Sequence, residues 1–586
     1  MISYFKIKLT FILIYKDNLF IKESSNGKIY NPLFSKDILI MSNQKIYYKY
    51  WPKGVPKEII IPKKNLVDFL EDSVKLYPNN VVTYFMGFEL TYTKLLDIVY
   101  RVATKLTELG IKKGDCVAIQ FTNNPAFIAY YYGILKIGGV VTPISPLFKK
   151  LEIKRQLNDS DAKLYIGWEG FSGLVDPVIG ETGVKHKFYS NLSPYLSPDP
   201  LAPPEFSTGG EPMMEDLIRE TVPNPPEVEI TLDDLAQLQY TGGTTGFPKG
   251  AMLTHGSIAA NIFQAESWFV EKELGKEVLL AALPFYHIYM GFMMNMCIHN
   301  GWKLACVFNP REAHEVIEVI EATKVTVFPG VAAIYNNLNN YEGIQNHDLS
   351  SIKYCLSGAG PLPDDVRKTF ERLTGSKLRE AYGLTEMSPA VTANPFEGKF
   401  KPGTIGMPFP NTDVKICDTN GSTLGIGEVG ELVTRGPQMM KGYYKHEEET
   451  NNTIRDGWLW TGDLALMDDD GYFVIKDRLK NLIKYKGHSV YPTEVEDLLY
   501  YNEVIKECGV IGIIDDEGKE NIKAYVVLKD DHKDEGITEQ DIIDWAKQNM
   551  AGDKYPRFIE FLDEIPKTIV GKVLHRELKD LEAHKK

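Results

Sequence analysis

Leu95, Ile98, Val102, Leu106 and Leu109 recur at the spacing of one helix face and stop at Gly110, which predicts an amphipathic helix closed by a glycine. The next apolar stretch, Cys116 to Phe121, is short and strand-like. Asn124 then offers an N-cap and Pro125 a first helical residue for an apolar helix that ends at Gly138 and Gly139. The short run Val140 to Thr142 follows, and strand, helix, strand in this order predicts a parallel sheet. Val325 to Phe328 and Tyr354 to Leu356 are further strand candidates, and each runs into a glycine turn, Pro329-Gly330 and Ser357 to Gly360. Ligands of open α/β sheets sit beyond the carboxyl ends of strands, so these turns are candidate pocket walls.

From about Lys401 the texture changes to short strands with frequent glycine, as from Gly427 to Val433 and from Gly471 to Ile475, and predicts a small β-rich subdomain. After Arg478 a smaller α+β stretch has strand candidates at Gly509 to Ile514 and Ala524 to Leu528. At the other end, Lys6 and Lys8 precede the apolar run Leu9 to Tyr15, but no small-residue cleavage site follows and the run is too short to span a bilayer. Residues 1–40 therefore read as an upstream extension or a misassigned start, with Met41 opening the main body.

A chain of 586 residues exceeds one hydrophobic core and divides into several domains. Apolar residues at 44% and charged residues at 25% are ordinary for a soluble globular protein. A net charge of −14, without a basic block, argues against nucleic acid as a partner. The six cysteines lie far apart, with no CxxC pair and no histidine cluster at metal spacing, which fits a reducing cytoplasm and gives none of them a role.

The densest chemistry lies between Tyr240 and Gly250: Thr241, Gly242, Gly243, Thr244, Thr245, Gly246 and Lys249 supply backbone amides, hydroxyls and one cation suited to phosphate oxygens. It is not the common P-loop, because Lys249 follows Gly246, Phe247 and Pro248 instead of standing between glycine and Ser or Thr.

The loop resembles the signature of the adenylate-forming superfamily of acyl-coenzyme A synthetases, carrier-protein adenylation domains and firefly luciferase. Four more segments match in order: Ser357 to Pro361, Glu380 to Glu386, Trp458 to Asp463 running on into Lys476 to Gly487, and Pro566 to Lys572. The likeness spans about residue 45 to the end. It implies an α/β fold with a large N-terminal domain (41–478) of two parallel-sheet subdomains plus a small β-barrel-like subdomain (about 400–478), and a small mobile α+β C-terminal domain (479–586). It also implies ATP, Mg²⁺ and coenzyme A. The loop residues with Gly358, Ala359, Gly360, Tyr382, Gly383, Asp463 and Arg478 would bind the nucleotide: Tyr382 offers a flat face to adenine, and Asp463 accepts from the ribose hydroxyls. Thr385 would meet the α-phosphate, and Thr245 and Glu386 would serve Mg²⁺. Lys572 would bridge the attacking carboxylate and the α-phosphate. Lys480 would be the hinge about which the small domain turns, bringing Lys484, Lys486 and Gly487 to the site for coenzyme A.

His287, in the aromatic segment Pro284 to Met294, matches a stretch that borders the acyl pocket, with Gly330 as a further wall. It is expected to contact the carboxylate end without acid/base work. Met293, Met294 and Met296 suggest an adaptable apolar wall. Some fatty acyl ligases carry a bulky aromatic four residues beyond this histidine, where the present chain has Gly291, which implies an open acyl tunnel and a medium- or long-chain fatty acid–CoA ligase. An aryl–CoA ligase, a carrier-loading enzyme, a luciferase-like oxygenase and a non-catalytic nucleotide or acyl sensor are the competing readings. Retention of Lys249, Glu386, Asp463, Arg478, Lys484 and Lys572 weighs against the last, and no fused carrier fits between Lys572 and residue 586. Nothing in the sequence spans a membrane, and peripheral lipid contact and a homodimer both stay open. Sequencing the N-terminus of the native protein separates the two readings of residues 1–40: a read from Met41 marks a misassigned start, and a read from Met1 marks a translated extension.

Overall fold

The computed structural model describes residues 11–15, 18–22, 46–191, 193–196, 213–241, 248–485, 488–514, 519–552, 554–567 and 573–585. The predicted amphipathic helix is Tyr92–Glu108; it buries Leu95, Ile98, Val102 and Leu106, and Gly110 follows at φ +82°. Asn124 caps the helix Pro125–Lys136 by accepting from the amides of Ala126 and Phe127 at 2.9 and 3.3 Å. Every residue from Pro125 to Leu135 is buried, which is why this helix shows no polar face in sequence.

The strand Cys116–Gln120 sits within a six-stranded sheet, flanked in parallel by Val140–Pro143 and Leu164–Trp168. Beyond Val140–Pro143 comes Leu235–Thr241, whose antiparallel partner Lys249–Thr254 forms the edge. A second sheet has nine strands; Lys377–Gly383, Tyr354–Ser357, Val327–Gly330, Val278–Ala281, Lys303–Cys306 and Val81–Phe85 are its parallel centre. The strand expected at Val325 starts two residues later, at Val327. The expected β-rich subdomain is a five-stranded antiparallel sheet built around Trp458–Met467, which pairs with Gly430–Arg435, Ile454–Arg455 and Phe473–Arg478.

The C-terminal part has its own α+β body. Ile505–Ile514, Glu520–Leu528 and Phe558–Phe561 form a sheet against the helices Pro492–Leu499 and Glu539–Asn549. Its core, including Val495, Leu499, Val510, Ile522 and Ile542, is separate from that of the large domain. At the N-terminal end, Phe11–Tyr15 pairs antiparallel with Asn18–Lys22, so the apolar run noted there is a hairpin strand. All six cysteines are buried and unbridged. Among the described residues, no helix is long and apolar enough to cross a membrane.

Three histidines are held in this interior. Burial pushes the imidazoles of His255, His287 and His299 down from 6.5 to about 4. Between those values the unfolded chain binds protons that the folded chain refuses, so each histidine lowers stability as pH falls from 6.5 toward 4. A His287→Asn variant, which can keep a helix-capping oxygen, should lose less thermal stability over that window than the parent in parallel melts. Equal pH slopes would refute a neutral His287.

Candidate active site

The carboxyl ends of the parallel strands and the small domain enclose one cleft of about 2420 Å³. Asp463 lines it, midway along Trp458–Met467 and 4% exposed. One carboxylate oxygen lies 2.6 Å from Nε of Arg478, its register partner on the neighbouring strand; the other accepts from the Tyr382 hydroxyl at 2.6 Å. Burial, then the Asp463 charge, holds the Tyr382 phenol well above its ordinary value, so it stays a donor.

The phosphate loop is anchored at its ends. Thr241 and Lys249 are register partners of an antiparallel pair, and both line the cleft. Gly242, Gly243, Thr244, Thr245 and Gly246 lie outside the described residues. The segment after Met440 is laced to the same strand: Tyr444 donates to the Gly250 carbonyl, and Met252 to that of Gly442. It delivers two partners that sequence reasoning missed. Tyr443 donates to Oε1 of Glu386 at 2.6 Å, and Glu449 pairs with Lys249 at 3.3 Å. Neither stands at a diagnostic spacing; only the pairing of distant strands brings them in. Glu380 was named only as the start of a motif; burial raises its carboxyl to about 7, and it also lines the cleft.

His287 caps the helix Ile288–His299, its Nδ1 accepting from the Tyr289 amide at 3.2 Å. That bond places the remaining proton on Nε2, so a neutral donor borders the cleft. Ala359 lines the same wall in the left-handed region at φ +64°, and a Cβ on Gly358 would press on the Tyr289 ring at 3.2 Å. Beyond this wall the cavity is lined by residues that are themselves buried: Ala265, Trp268, Phe269, Phe292, Met293, Ala393, Phe396 and Phe409. An apolar extension lined by residues sealed from solvent is an interior pocket, suited to a hydrocarbon group. Of the three methionines singled out, Met293 lines it, while Met294 and Met296 are buried outside the lining.

Gly291 and Gly330 are also outside the lining. Gly291 lies one turn into the His287 helix, its amide bonded to the His287 carbonyl. Gly330 has a packing reason instead, since a Cβ there would meet the Tyr335 ring at 2.8 Å. On the small-domain side, Lys480, Thr493, Lys567, Val573 and His575 line the cleft. Lys567 and Val573 pair across an antiparallel bridge; Lys572 lies outside the described residues, as do Lys486 and Gly487. Lys484 is exposed and away from the cleft, its amide bonded to Glu520 at 2.7 Å. Asp477, beside Arg478, accepts from the amide and hydroxyl of Thr493 at 2.9 and 3.0 Å and so joins the last large-domain strand to the first small-domain helix.

Gly360, Gly383 and Thr385 line the cleft with the residues above. Among the described residues, no group of three or more His, Cys, Asp or Glu forms a metal cage. Glu386, bonded to Tyr443, lines the cleft, and Glu449 is taken up by Lys249, a donor set that fits Mg²⁺ held mostly by nucleotide phosphates and water.

Residues 70–444 match the AMP-binding enzyme family, and residues 494–572 match the AMP-binding enzyme C-terminal domain. The chain is 38% identical to a long-chain-fatty-acid–CoA ligase of Bacillus subtilis (strain 168) over 92% of its own length and 98% of the relative's. It is 34% identical to the ligase of that name from Escherichia coli O157:H7, with the same shares covered. An anthranilate CoA ligase, AuaEII, solved with anthranoyl-AMP, superposes with a TM-score of 0.79 at 26% identity, over 90% of this chain and 98% of that one. ATP-bound MatB from Rhodopseudomonas palustris gives a TM-score of 0.78 at 26% identity, over 89% and 99%. With two successive domains matched and relatives covered almost end to end, the chain belongs to the AMP-binding enzyme family.

Proposed function

We propose that this protein is an AMP-forming acyl–CoA ligase that activates long-chain fatty acids in the cytoplasm. The observation that carries the reading is a polar nucleotide subsite continuous with a buried apolar pocket walled by Trp268, Phe269, Phe396 and Phe409. The similarity to long-chain-fatty-acid–CoA ligases supports the acyl class.

The reaction has two displacements. A carboxylate oxygen attacks the α-phosphorus of ATP and pyrophosphate leaves; the coenzyme A thiolate then attacks the acyl carbon and AMP leaves. For the first, Asp463 holds the ribose, exchanging the Tyr382 hydroxyl for sugar hydroxyls while it keeps its charge partner Arg478. Lys249 exchanges Glu449 for phosphate oxygens. Glu386, with Thr245, would hold Mg²⁺, which neutralises phosphate charge when bound. The neutral Nε2–H of His287 orients the acid, and its depressed pKa keeps it from competing for the proton. Lys572 would stabilise the charge that gathers between carboxylate and α-phosphate.

The orientation of the small domain fits the first displacement. Lys567 and Val573, which bracket Lys572 in sequence, line the cleft, whereas Lys484 faces solvent. The second displacement then needs rotation about Lys480, with release of the Asp477–Thr493 contact.

Lys572→Ala should lower acid-dependent ATP–pyrophosphate exchange by roughly 10²- to 10³-fold. It should leave thioester formation from supplied acyl-adenylate and coenzyme A near the parental rate; equal loss of both half-reactions would sink domain alternation. In a panel of acids from acetate to stearate, kcat/KM for coenzyme A-dependent AMP release should peak among the long chains. A peak at acetate or benzoate would overturn the fatty acyl assignment.

A further inference from the structure

Between Pro52 and Lys64 the chain forms neither helix nor strand, and most of it faces solvent. Ile60 is 94% exposed. A single exposed aliphatic residue is commonplace. Its surroundings here are not. Lys53, Lys57 and Lys63 are all exposed, and Glu58 is the sole acid between Trp51 and Lys64, although the whole chain carries a net charge of −14. Lys64 is set apart from this group by its 2.7 Å pair with Asp72. Val270, 43% exposed, adds a second aliphatic beside the loop, its Cγ1 lying 3.2 Å from where a Gly54 Cβ would stand.

The loop is clamped. The Ile59 amide donates to Oδ1 of Asn411 at 2.8 Å, and Nδ2 of Asn411 donates back to the Ile59 carbonyl at 2.9 Å. The Trp51 indole donates to the Val55 carbonyl at 2.9 Å, and Lys57 lies 4.4 Å over the Tyr48 ring. Ile60 is therefore presented by a fixed backbone.

The loop is tied to the apolar pocket through Trp51. Trp51 packs edge-on against Trp268 at 5.4 Å, and Trp268 against Phe409 at 5.0 Å; both Trp268 and Phe409 line the cavity. Asn411, which grips Ile59, is two residues from Phe409.

We propose that residues 52–64, with Val270, form a docking patch for an anionic bilayer surface. Ile60 enters the headgroup region while Lys53, Lys57 and Lys63 face the lipid charge. A clamped loop that exposes an aliphatic residue together with three lysines and a single acid, on a chain of net charge −14, is complementary in charge to that surface. The purpose of the contact rests on the fatty acyl reading, because a poorly soluble acid resides in the bilayer; the binding itself does not.

The test is co-sedimentation of the full chain with phosphatidylglycerol–phosphatidylcholine vesicles and with phosphatidylcholine vesicles at low salt. The parent should pellet with the anionic vesicles and be released at high salt. Lys53→Glu/Lys57→Glu/Lys63→Glu should weaken binding about 100-fold, and Ile60→Asp roughly 10-fold, both with unchanged thermal midpoints. Absence of binding by the parent, equal binding to neutral vesicles, or retained binding in both variants would overturn the proposal. So would pelleting without vesicles, which would make the patch a contact between copies of this chain. Thioester formation from a water-soluble medium-chain acid, measured without vesicles on the same samples, separates the two ideas. Activity without vesicle binding rejects only the docking patch, and vesicle binding without activity rejects only the ligase reading.

Discussion

A carboxylate buried to 4% exposure has to be compensated, and Asp463 has a hydrogen bond from Tyr382 and an ion pair with Arg478. Arg478 comes from the adjacent antiparallel strand and Tyr382 from the end of the nine-stranded sheet. Stripping one partner from a buried charge costs several kcal/mol, on the order of 3–5, so the two sheets are fixed relative to each other at this point. The rest of the cleft is arranged around it. Glu386 follows Tyr382 by four residues, and Asp477 precedes Arg478 by one, so the metal-facing carboxylate and the link to the small domain inherit their positions from the same hub. Such a hub also suits its task, because the hydroxyl that Tyr382 donates to Asp463 can be exchanged for those of a nucleotide.

The second determinant is the contrast between the two ends of the cavity. Around Lys249, Glu386 and Glu449 the charges are paired with one another and with Tyr443. Past His287 the walls are apolar and sealed from solvent. His287 sits at the join, a helix cap whose imidazole is kept neutral by burial. One cavity thus holds a highly charged leaving group at one end and a hydrocarbon at the other, which is what acyl adenylation requires.

Much of this was legible in the residues. The Tyr92–Glu108 helix, the Asn124 cap and the strands at Cys116 and Tyr354 follow from local periodicity and capping, which depend on neighbours in sequence. Fourteen residues nominated from the sequence, from Thr241 to Lys480, line one cleft. Two others do not behave as expected: Gly330 is glycine because of Tyr335, and Gly291 is buried in a helix beside the pocket. A glycine records that space is short without recording what fills it.

By itself the sequence determined the order of sheets and helices, the chemistry of the phosphate loop and the ordered motifs, because these lie in runs of a few adjacent residues. Only the tertiary structure decided that Tyr443 and Glu449 complete the site, that Met293 alone of the three methionines lines the pocket, and that the Ile60 loop is tied through Trp51 to Trp268. Those relations join positions far apart in the chain. Nothing in local spacing encodes them, because strand pairing and the burial of shared apolar surface choose which distant residues meet.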